Sequence, residues 1–241
     1  MAGILKRHPF QGVWTVVRFN WHLHAMAFGF AVALAAAGLF LRGMAQAITC
    51  GLAVAVFLPV LVSLVATWGA YDASGLYRLD WLAPLLVGAR HGATLHAGFD
   101  EMTPLLRVTY PEIEWQPFDF FDPAQHTELS IRRARKAHPA SQGTVAIRAN
   151  HIPLAAGSLD RALLILAAHE IRNHSERVTF FRELHRVLDA GGCVIVTEHV
   201  RGLATITAYT VGAWHFHTRA EWLATFRSEE HTSELQSPYV I

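Results

Sequence analysis

Two hydrophobic periodicities follow one another over residues 159–197, and together they predict a strand, a helix and a second strand. The continuous apolar run at 162–168 has the length and the aliphatic side chains of a strand buried on both faces of a parallel sheet. Apolar residues then recur at helical spacing from Val178 to Leu188, and residues 189–192 are predicted to end that helix with a left-handed glycine. A second apolar run at 193–197 completes a right-handed βαβ unit.

Two longer apolar runs stand near the start of the chain, at 23–41 and 48–68. Each is close to the roughly 20 residues that a helix needs to cross a bilayer core. A short linker joins them, so residues 23–70 are predicted to form a transmembrane hairpin. Basic residues are more frequent outside this linker than within it, which predicts a multi-pass protein of the cytoplasmic (inner) membrane with both termini cytoplasmic. A cleaved signal peptide is the alternative, but its leading and apolar segments would both be too long.

Residues 1–22 carry their apolar side chains on one helical face, and Trp14 and Trp21 are among them. Lys6, Arg7 and Arg18 accompany that face. Tryptophan rings and basic side chains are typical of a helix lying in the membrane interface, so the lipid bilayer is an expected partner. A helix packed on the following domain is the alternative.

The remaining pattern alternates short strands with helices over residues 71–226. Strands are predicted at 93–96, 112–121 and 144–149, and helices at 79–89, 126–137 and 219–226. Pro117 is expected to cause a bulge or an early end of its strand. The basic residues at 132–136 are interpreted as a solvated helix face, with contact to anionic lipid headgroups as the alternative.

Composition and charge narrow the functional classes. The chain is 52% hydrophobic and only 16% charged, and the excess apolar residues lie before residue 70. Its net charge of +1 gives no reason to expect a nucleic-acid partner. Cys50 and Cys193 fall in separate apolar elements, which predicts no disulfide and a reducing compartment.

Several sequence motifs follow one another in the second half of the chain. Their order along the sequence is a small apolar-proline segment, an S-x-D motif, a histidine after a strand, an E-L-x-R-V-L helix, a double glycine and a final glutamate. In this chain they are Ile152-Pro153-Leu154, Ser158-Leu159-Asp160, His169, Glu183-Leu184-His185-Arg186-Val187-Leu188, Gly191-Gly192 and Glu198. In this order, these residues resemble the class I S-adenosylmethionine-dependent methyltransferases. The resemblance implies an α/β, Rossmann-like parallel sheet with flanking helices, and S-adenosylmethionine as cofactor.

The resemblance also implies a cofactor site beyond the carboxyl ends of the first strands. Gly98 matches one glycine of the family's Gly-x-Gly-x-Gly loop, while Asp100 and Met102 stand at the positions of the others and His96 replaces the preceding acid. Asp119 or Asp122 is the acid expected to hold the ribose hydroxyls. Asn150 follows the third strand, near where the family often has a polar residue beside the adenine.

Four polar residues follow the fourth and fifth strands and are the candidate catalytic groups: His169, Glu170, Glu198 and His199. Ligands bind beyond the carboxyl ends of parallel strands, and these side chains can deprotonate a methyl acceptor there. Capping of helices and loops is the competing interpretation. Metal sites combining His199 with His215 and His217, or His169 with His174, were weighed, and no metal is predicted.

The predicted function is methyl transfer to an unknown acceptor, a small molecule or a lipid-like one, by a membrane-anchored protein. A non-catalytic scaffold or binding module with the same fold is the alternative. Residues 227–241 resemble a translated sequencing adapter and are set apart as a non-native, disordered tail. The domain at 71–226 is accordingly expected to have five parallel strands and to lack the family's terminal antiparallel hairpin.

Overall fold

The computed structural model describes residues 7–230, which divide into two compact units. The predictions for residues 1–6 and 231–241 lie outside this range. One unit contains residues 7–76 and 202–214, and the other contains 77–201 together with the segment that begins at His215.

Three helices form most of the first unit: α1 (Gln11–Phe19), α2 (Trp21–Leu39) and α3 (Met44–Thr67). Within this unit α2 and α3 pack as a hairpin, and Gly38 permits close approach because a Cβ there would lie 2.9 Å from Cys50 Sγ. The regions Trp21–Leu39 and Met44–Arg78 are long and apolar enough to cross a membrane, with mean hydropathies of 1.6 and 2.6. These helices agree closely with the hairpin predicted from the sequence.

A five-stranded parallel sheet forms the centre of the second unit, with the strand order β3-β2-β1-β4-β5. This sheet confirms the predicted α/β, Rossmann-like fold. Its strands are β1 (His91–His96), β2 (Glu114–Asp119), β3 (Val145–Ala146), β4 (Leu159–Ile165) and β5 (Leu188–Thr197). The remaining helices of the described chain are α4 (Met102–Thr109), α5 (Leu129–Ala137), α6 (His174–Val187), α7 (Leu203–Tyr209), which belongs to the first unit, and α8 (Arg219–Glu230).

The sheet is buried on both faces, as the continuous apolar strands predict. Along β4, Leu164 belongs to one hydrophobic cluster while its neighbour Leu163 belongs to the other. Residues of α6 and α8, including Phe180 and Trp222, cover the first face. Leu106 of α4 covers the second face, together with residues from the 3-10 turns before β1. Successive side chains therefore point to opposite faces and remain apolar on both.

Several resemblance motifs hold the βαβ unit together. Asp160 Oδ2 accepts hydrogen bonds from the backbone N–H groups of Arg90 and His91, at 2.6 and 2.7 Å, which ties the start of β1 to β4. Burial opposes ionisation of this carboxyl, yet the two N–H donors outweigh it and lower the pKa of Asp160. Glu183 accepts from the N–H of Ile152, and Arg186 donates to the Ile152 carbonyl. The S-x-D and E-L-x-R motifs thus have structural roles.

Several local predictions are wrong, and the helix predicted at 79–89 is instead a 3-10 turn over Asp80–Leu85. Pro117 causes neither a bulge nor an early end, because β1 and β2 stay in continuous register up to the pair of His96 and Asp119. Helix α5 begins at Leu129 rather than at residue 126, since residues 122–126 form a turn in which Asp122 N–H donates to His126 Nδ1. Helix α8 runs to Glu230, so residues 228–230 of the predicted disordered tail are helical.

The double glycine at 191–192 does not form the predicted left-handed cap. Helix α6 ends at Val187 and β5 begins at Leu188, and neither glycine has a positive φ angle. Gly192 instead lies against β4, where an added Cβ would be 3.0 Å from the Leu159 carbonyl oxygen and 3.1 Å from that of Asp160. Close backbone approach therefore favours glycine at this position.

Replacing Gly192 with alanine is expected to lower the free energy of unfolding by about 1–3 kcal/mol, because the new methyl group forces β5 away from β4. Gly191→Ala is the matched control, since its Cβ would meet nothing closer than 3.9 Å. That variant should be unchanged or more stable by about 0.4–1 kcal/mol through the unfolded state. Urea unfolding of both full-length variants in detergent checks the pair, and equal stabilities would contradict the close-approach explanation.

Candidate functional site

Side chains from the carboxyl ends of β4 and β5 meet at one edge of the sheet. His169 and Glu170 lie in a 3-10 turn, Ala168–Glu170, immediately beyond β4, and Glu198 follows β5 directly. His169 Nδ1 is 2.6 Å from Glu198 Oε2, and Glu198 Oε1 accepts the backbone N–H of Ala168 at 2.5 Å. Because the Glu198 side chain is only 1% exposed, these bonds fix both the carboxylate and the imidazole.

The His169 ring is buried, and its surroundings control its charge. Burial disfavours the protonated ring, but the carboxylates of Glu198 and Glu170 outweigh that effect, so the pKa of His169 is raised above its ordinary value. A hydrogen bond from His169 Nδ1 to Glu198 leaves Nε2 of the neutral ring as the proton acceptor. His169 and Glu198 therefore form an oriented acid–base pair.

His215 extends this group from a later part of the chain, at the end of the 3-10 turn Thr210–His215. Its Nε2 lies 3.4 Å from Glu170 Oε1, and His169 Nε2 lies 3.6 Å from the same oxygen. Burial raises the pKa of Glu170, but the hydrogen bond with His215 and the nearby His169 ring outweigh it and lower that pKa to about 2. Glu170 is consequently an anion between two imidazoles.

His199 packs differently from the other three predicted catalytic residues. Its ring lies against the Phe216 ring, with centroids 5.1 Å apart. Burial, followed by the nearby His169, lowers the pKa of His199 to about 4, so its ring is neutral at physiological pH. The structure thus joins His169, Glu170 and Glu198 in one polar group, while His199 lies against Phe216.

The five predicted cofactor residues divide into two sets. Asp122 and Asn150 line a cavity of about 630 Å³ beyond the carboxyl ends of β2 and β3, and Glu170 also lines it. A larger cavity, of about 1050 Å³, lies at the amino ends of β1 and β2 and includes Glu112. The smaller cavity is the candidate cofactor site, because ligands of parallel sheets bind at the carboxyl edge.

Gly98, Asp100 and Asp119 form a separate, closed cluster around His96. Asp119 Oδ1 accepts the N–H groups of Gly98 and Phe121, at 2.8 and 2.9 Å, and Arg135 donates to Oδ2. With its carboxylate 3% exposed and bound to protein donors, Asp119 does not fit the ribose-binding role. Gly98 has φ = 83°, and a Cβ there would lie 3.0 Å from the Phe121 ring.

His96 stands where the resemblance implies an acid before the glycine loop. The ring is buried, with Asp100 and Asp119 oxygens 3.9 and 3.7 Å from its nitrogens. Burial lowers the pKa of His96 despite the attraction of both carboxylates. Asp100 Oδ1 meanwhile accepts the N–H groups of Met102 and Thr103 at the start of α4, so its role here is a helix cap.

Arg135, His215 and Arg177 are site residues that sequence reasoning missed or misinterpreted. Arg135 was assigned to a solvated basic face, whereas its guanidinium pairs with buried Asp119 and lies 4.8 Å from the Phe121 ring centroid. Arg177 is 2% exposed and donates to the Ile171 carbonyl, one residue after Glu170. For His215, the one signal in the sequence is its closeness to His217, which indicates a cluster of histidines.

Comparison with known families supports the chemistry suggested by this geometry. The family model described as "Methyltransferase domain" matches residues 124–196, which contain β3, β4, α6 and most of β5. This match supports S-adenosylmethionine as the cofactor. No curated protein matches the chain.

Solved structures with a similar fold include the YcgJ protein of Bacillus subtilis, which is 16% identical, with 62% of this chain and 66% of that chain covered and a TM-score of 0.42. The [4+2]-cyclase SpnF is 20% identical, with coverages of 66% and 57% and a TM-score of 0.44. PigF with SAH is 15% identical, with coverages of 71% and 58% and a TM-score of 0.45. The chain thus spans less than two thirds of SpnF and PigF. In its parallel sheet and its matched segment, the chain resembles the class I S-adenosylmethionine-dependent methyltransferases.

Proposed function

We propose that the chain is a membrane-associated S-adenosylmethionine-dependent methyltransferase acting on a small-molecule or lipid-like acceptor. The observation that carries the proposal is the oriented His169–Glu198 pair beside the 630 Å³ cavity, in a segment that matches a methyltransferase domain. Asp122 and Asn150 are the residues that would hold the nucleoside part of the cofactor. S-adenosylmethionine supplies an electrophilic methyl group when bound.

The residues of this chain would position and deprotonate the acceptor. Nε2 of His169 takes the proton of the acceptor nucleophile, while Glu198 holds Nδ1 and stabilises the imidazolium that forms. Positioning contributes much of the rate, because methyl transfer needs the nucleophile, methyl and sulfur in line. Buried Ala168 lies within the turn that carries His169 and buried Ile171 follows it, so the backbone of this turn is anchored in the core.

Membrane association rests on the two apolar helices α2 and α3. Many of their large side chains are exposed within the described chain, including Met26 at 68%, Leu39 at 79% and Val65 at 66%. Burying such side chains in lipid contributes roughly 1.5–3 kcal/mol each. An acceptor of lipid-like character would be available there. Carbonate extraction of membranes tests this part, and release of the chain into the supernatant would contradict it.

A second candidate is a binding module with the methyltransferase fold and no methyl transfer. The observation favouring it is the saturated Asp119 carboxylate, which Arg135 and two backbone N–H groups already engage. Isothermal titration of the full-length chain with S-adenosylmethionine, followed by transfer of its labelled methyl group to a lipid extract, separates the two. Binding with transfer supports the enzyme. Binding without transfer supports the module, and absence of binding overturns the cofactor assignment.

Asp122→Ala is expected to weaken S-adenosylmethionine binding by about 10–150-fold, the equivalent of roughly 1.5–3 kcal/mol for a hydrogen bond to a charged group. The Asp122 carboxylate lies at the cavity wall. It is the candidate acceptor for the ribose hydroxyls, because the Asp119 carboxylate is already bonded to donors within the protein. Titration calorimetry on the full-length variant measures the change.

Glu112→Ala serves as the matched control, because it removes an exposed carboxylate from the larger cavity at the opposite edge of the sheet. Its affinity should equal that of the parent. If Glu112→Ala weakens binding while Asp122→Ala does not, the ligand occupies the larger cavity and the site is misassigned.

A further inference from the structure

We propose that His169, Glu170 and His215 bind a divalent transition-metal ion. Their ligand atoms, two imidazole nitrogens and a carboxylate oxygen, lie within 4.8 Å of one another. Two 3-10 turns supply them, one after β4 and the other far later in the chain. The set of two histidines and one glutamate is a donor combination that zinc and neighbouring metals accept.

The spacing of these atoms suits a metal ion. Zinc binds imidazole nitrogen and carboxylate oxygen at about 2.0–2.2 Å, so tetrahedral ligands lie about 3.3–3.5 Å from one another. Glu170 Oε1 is 3.4 Å from His215 Nε2 and 3.6 Å from His169 Nε2. The two histidine rings have centroids 5.3 Å apart, and the three ligand atoms all lie within 4.8 Å of one another. The Glu170 oxygen is therefore already near coordination spacing from both imidazoles.

Glu198 provides the outer support that metal-bound histidines commonly have. It accepts a hydrogen bond from His169 Nδ1 at 2.6 Å, which directs the Nε2 lone pair towards Glu170 and fixes the ring. Carboxylate–histidine–metal arrangements of this kind orient the ligand and raise its basicity. The side chains of His169, Glu170 and His215 are 10, 12 and 24% exposed, so the cluster is shielded yet reachable from solvent.

Arg172 is the one described side chain that opposes metal binding at close range. Its Nη2 lies 3.3 Å from His215 Nδ1 and 3.8 Å from Glu170 Oε2, and it also pairs with Glu128. When Nδ1 of neutral His215 accepts a hydrogen bond from Arg172, the proton of the His215 ring lies on Nε2. Nε2 is the atom that would bind the metal. Metal binding therefore requires Arg172 to release His215, which its 44% exposure allows.

Three protein ligands leave a coordination position open, as in catalytic zinc sites. Glu170 also lines the 630 Å³ cavity, so a metal here would border the space assigned to ligand. A metal lowers the pKa of a bound hydroxyl or water. Because the metal and base roles of His169 use the same Nε2 atom, the zinc-bound protein and the protein that takes the acceptor proton would be alternative states of this site. Metal binding is measured without turnover, so it can fail independently of the proposed methyl transfer.

Titration of the metal-free full-length chain with zinc chloride tests the proposal. One ion per chain is expected, with affinity falling about 10–100-fold in Glu198→Gln, which disturbs the outer support. The zinc affinities of the His215→Gln and Glu170→Gln variants should fall at least as far. His151→Gln is the matched control, because it removes an exposed histidine elsewhere and should leave the affinity unchanged.

Arg172→Met provides a test in the opposite direction, which does not depend on losing a ligand or on the folding of ligand variants. Removing this cation should strengthen zinc binding by about twofold to fivefold, because the ion then no longer competes with a partly exposed guanidinium for His215 and Glu170. Cobalt(II) bound at the site should show the intense visible bands of tetrahedral coordination. Equal affinities for His215→Gln and the parent, or binding reduced by His151→Gln instead, would overturn the proposal, as would an Arg172→Met variant that binds no more tightly.

Discussion

Arg177→Ala is expected to lower the free energy of unfolding by about 3–5 kcal/mol, because it leaves several buried acceptors without a donor. The Arg177 guanidinium is 2% exposed and donates to the carbonyl oxygens of Ile171 and Arg172, at 2.9 and 3.3 Å. It also donates to Thr225 Oγ1 of α8 at 3.1 Å and lies 5.5 Å from the Trp222 ring centroid. One side chain thereby ties α6, α8 and the turn beyond β4 together.

Burial of this guanidinium disfavours its charged form. Burial lowers the pKa of Arg177, and Glu221 only partly offsets that effect. Despite this, an alanine would strand each buried carbonyl at roughly 1–3 kcal/mol and would also remove packing against Trp222. The net effect is therefore destabilising. Urea unfolding of the full-length chain in detergent, followed by tryptophan fluorescence, measures the change.

Arg182→Ala is the matched control for this experiment. Arg182 lies on the exposed face of the same helix, where substitutions usually change stability by less than about 0.5 kcal/mol. Arg177→Lys should fall between the two, since an ammonium group cannot reproduce the planar fork of donors. If Arg177→Ala is no less stable than Arg182→Ala, the buried guanidinium does not hold these elements together.

The local pattern of apolar and polar residues is sufficient to predict the central elements of the fold. The apolar run of β4 and the helical spacing of α6 each specify one kind of element, because the same side chains satisfy both local geometry and burial. Leu163 and Leu164, which face opposite clusters, illustrate the point. The class of sheet then followed from the βαβ connection.

Glycine and proline were less informative, because their effect depends on neighbouring strands. The sequence pattern predicts that Gly192 is needed for its backbone freedom at a helix end. In the structure, glycine suits this position because any side chain would press against the Leu159 carbonyl. Pro117 was expected to disturb β2, yet β3 is only two residues long and its pairing begins at Phe118. Residues of β2 before Phe118 have no pairing residue in β3, so Pro117 removes no hydrogen bond to that strand. Neither the role of Gly192 nor that of Pro117 can be predicted without knowing which strand lies beside it.

The candidate site was predictable as far as the strand-end rule extends. That rule located His169, Glu170 and Glu198, whose contacts follow from β4 and β5 being adjacent and parallel. It could not locate His215 or Arg135, which reach the site from a turn and a helix whose directions depend on tertiary packing. Asp119 was located correctly at its strand end, but its partner Arg135 changes what the carboxylate can do.

The largest functional effect is expected for Glu198→Gln, which should slow methyl transfer by about 10²–10⁴-fold. The amide oxygen of glutamine can still accept the N–H of Ala168, so the turn should keep its conformation. Its NH₂ group, however, would replace Oε2 and donate to His169 Nδ1, which forces the ring proton onto Nε2. His169 then has no lone pair facing the acceptor.

Two measurements distinguish this tautomer change from general damage. Nitrogen NMR shifts of labelled histidine should show His169 switching its protonated nitrogen, and calorimetry should show S-adenosylmethionine binding unchanged. Methyl transfer from labelled cofactor to a lipid extract gives the rate. Glu183→Gln is the matched control, because Glu183 pairs with Arg186 and the Ile152 N–H and has no contact with His169 among the bonds described.

The control should lose stability without losing the rate per folded molecule. Its ion pair is partly exposed, so the loss should be no more than about 1 kcal/mol. A Glu198→Gln variant that switches the tautomer yet transfers methyl groups at the parent rate would contradict His169 as the base. A variant that keeps the parent tautomer would instead mean that the 2.6 Å contact with Glu198 does not determine which nitrogen of His169 carries the proton.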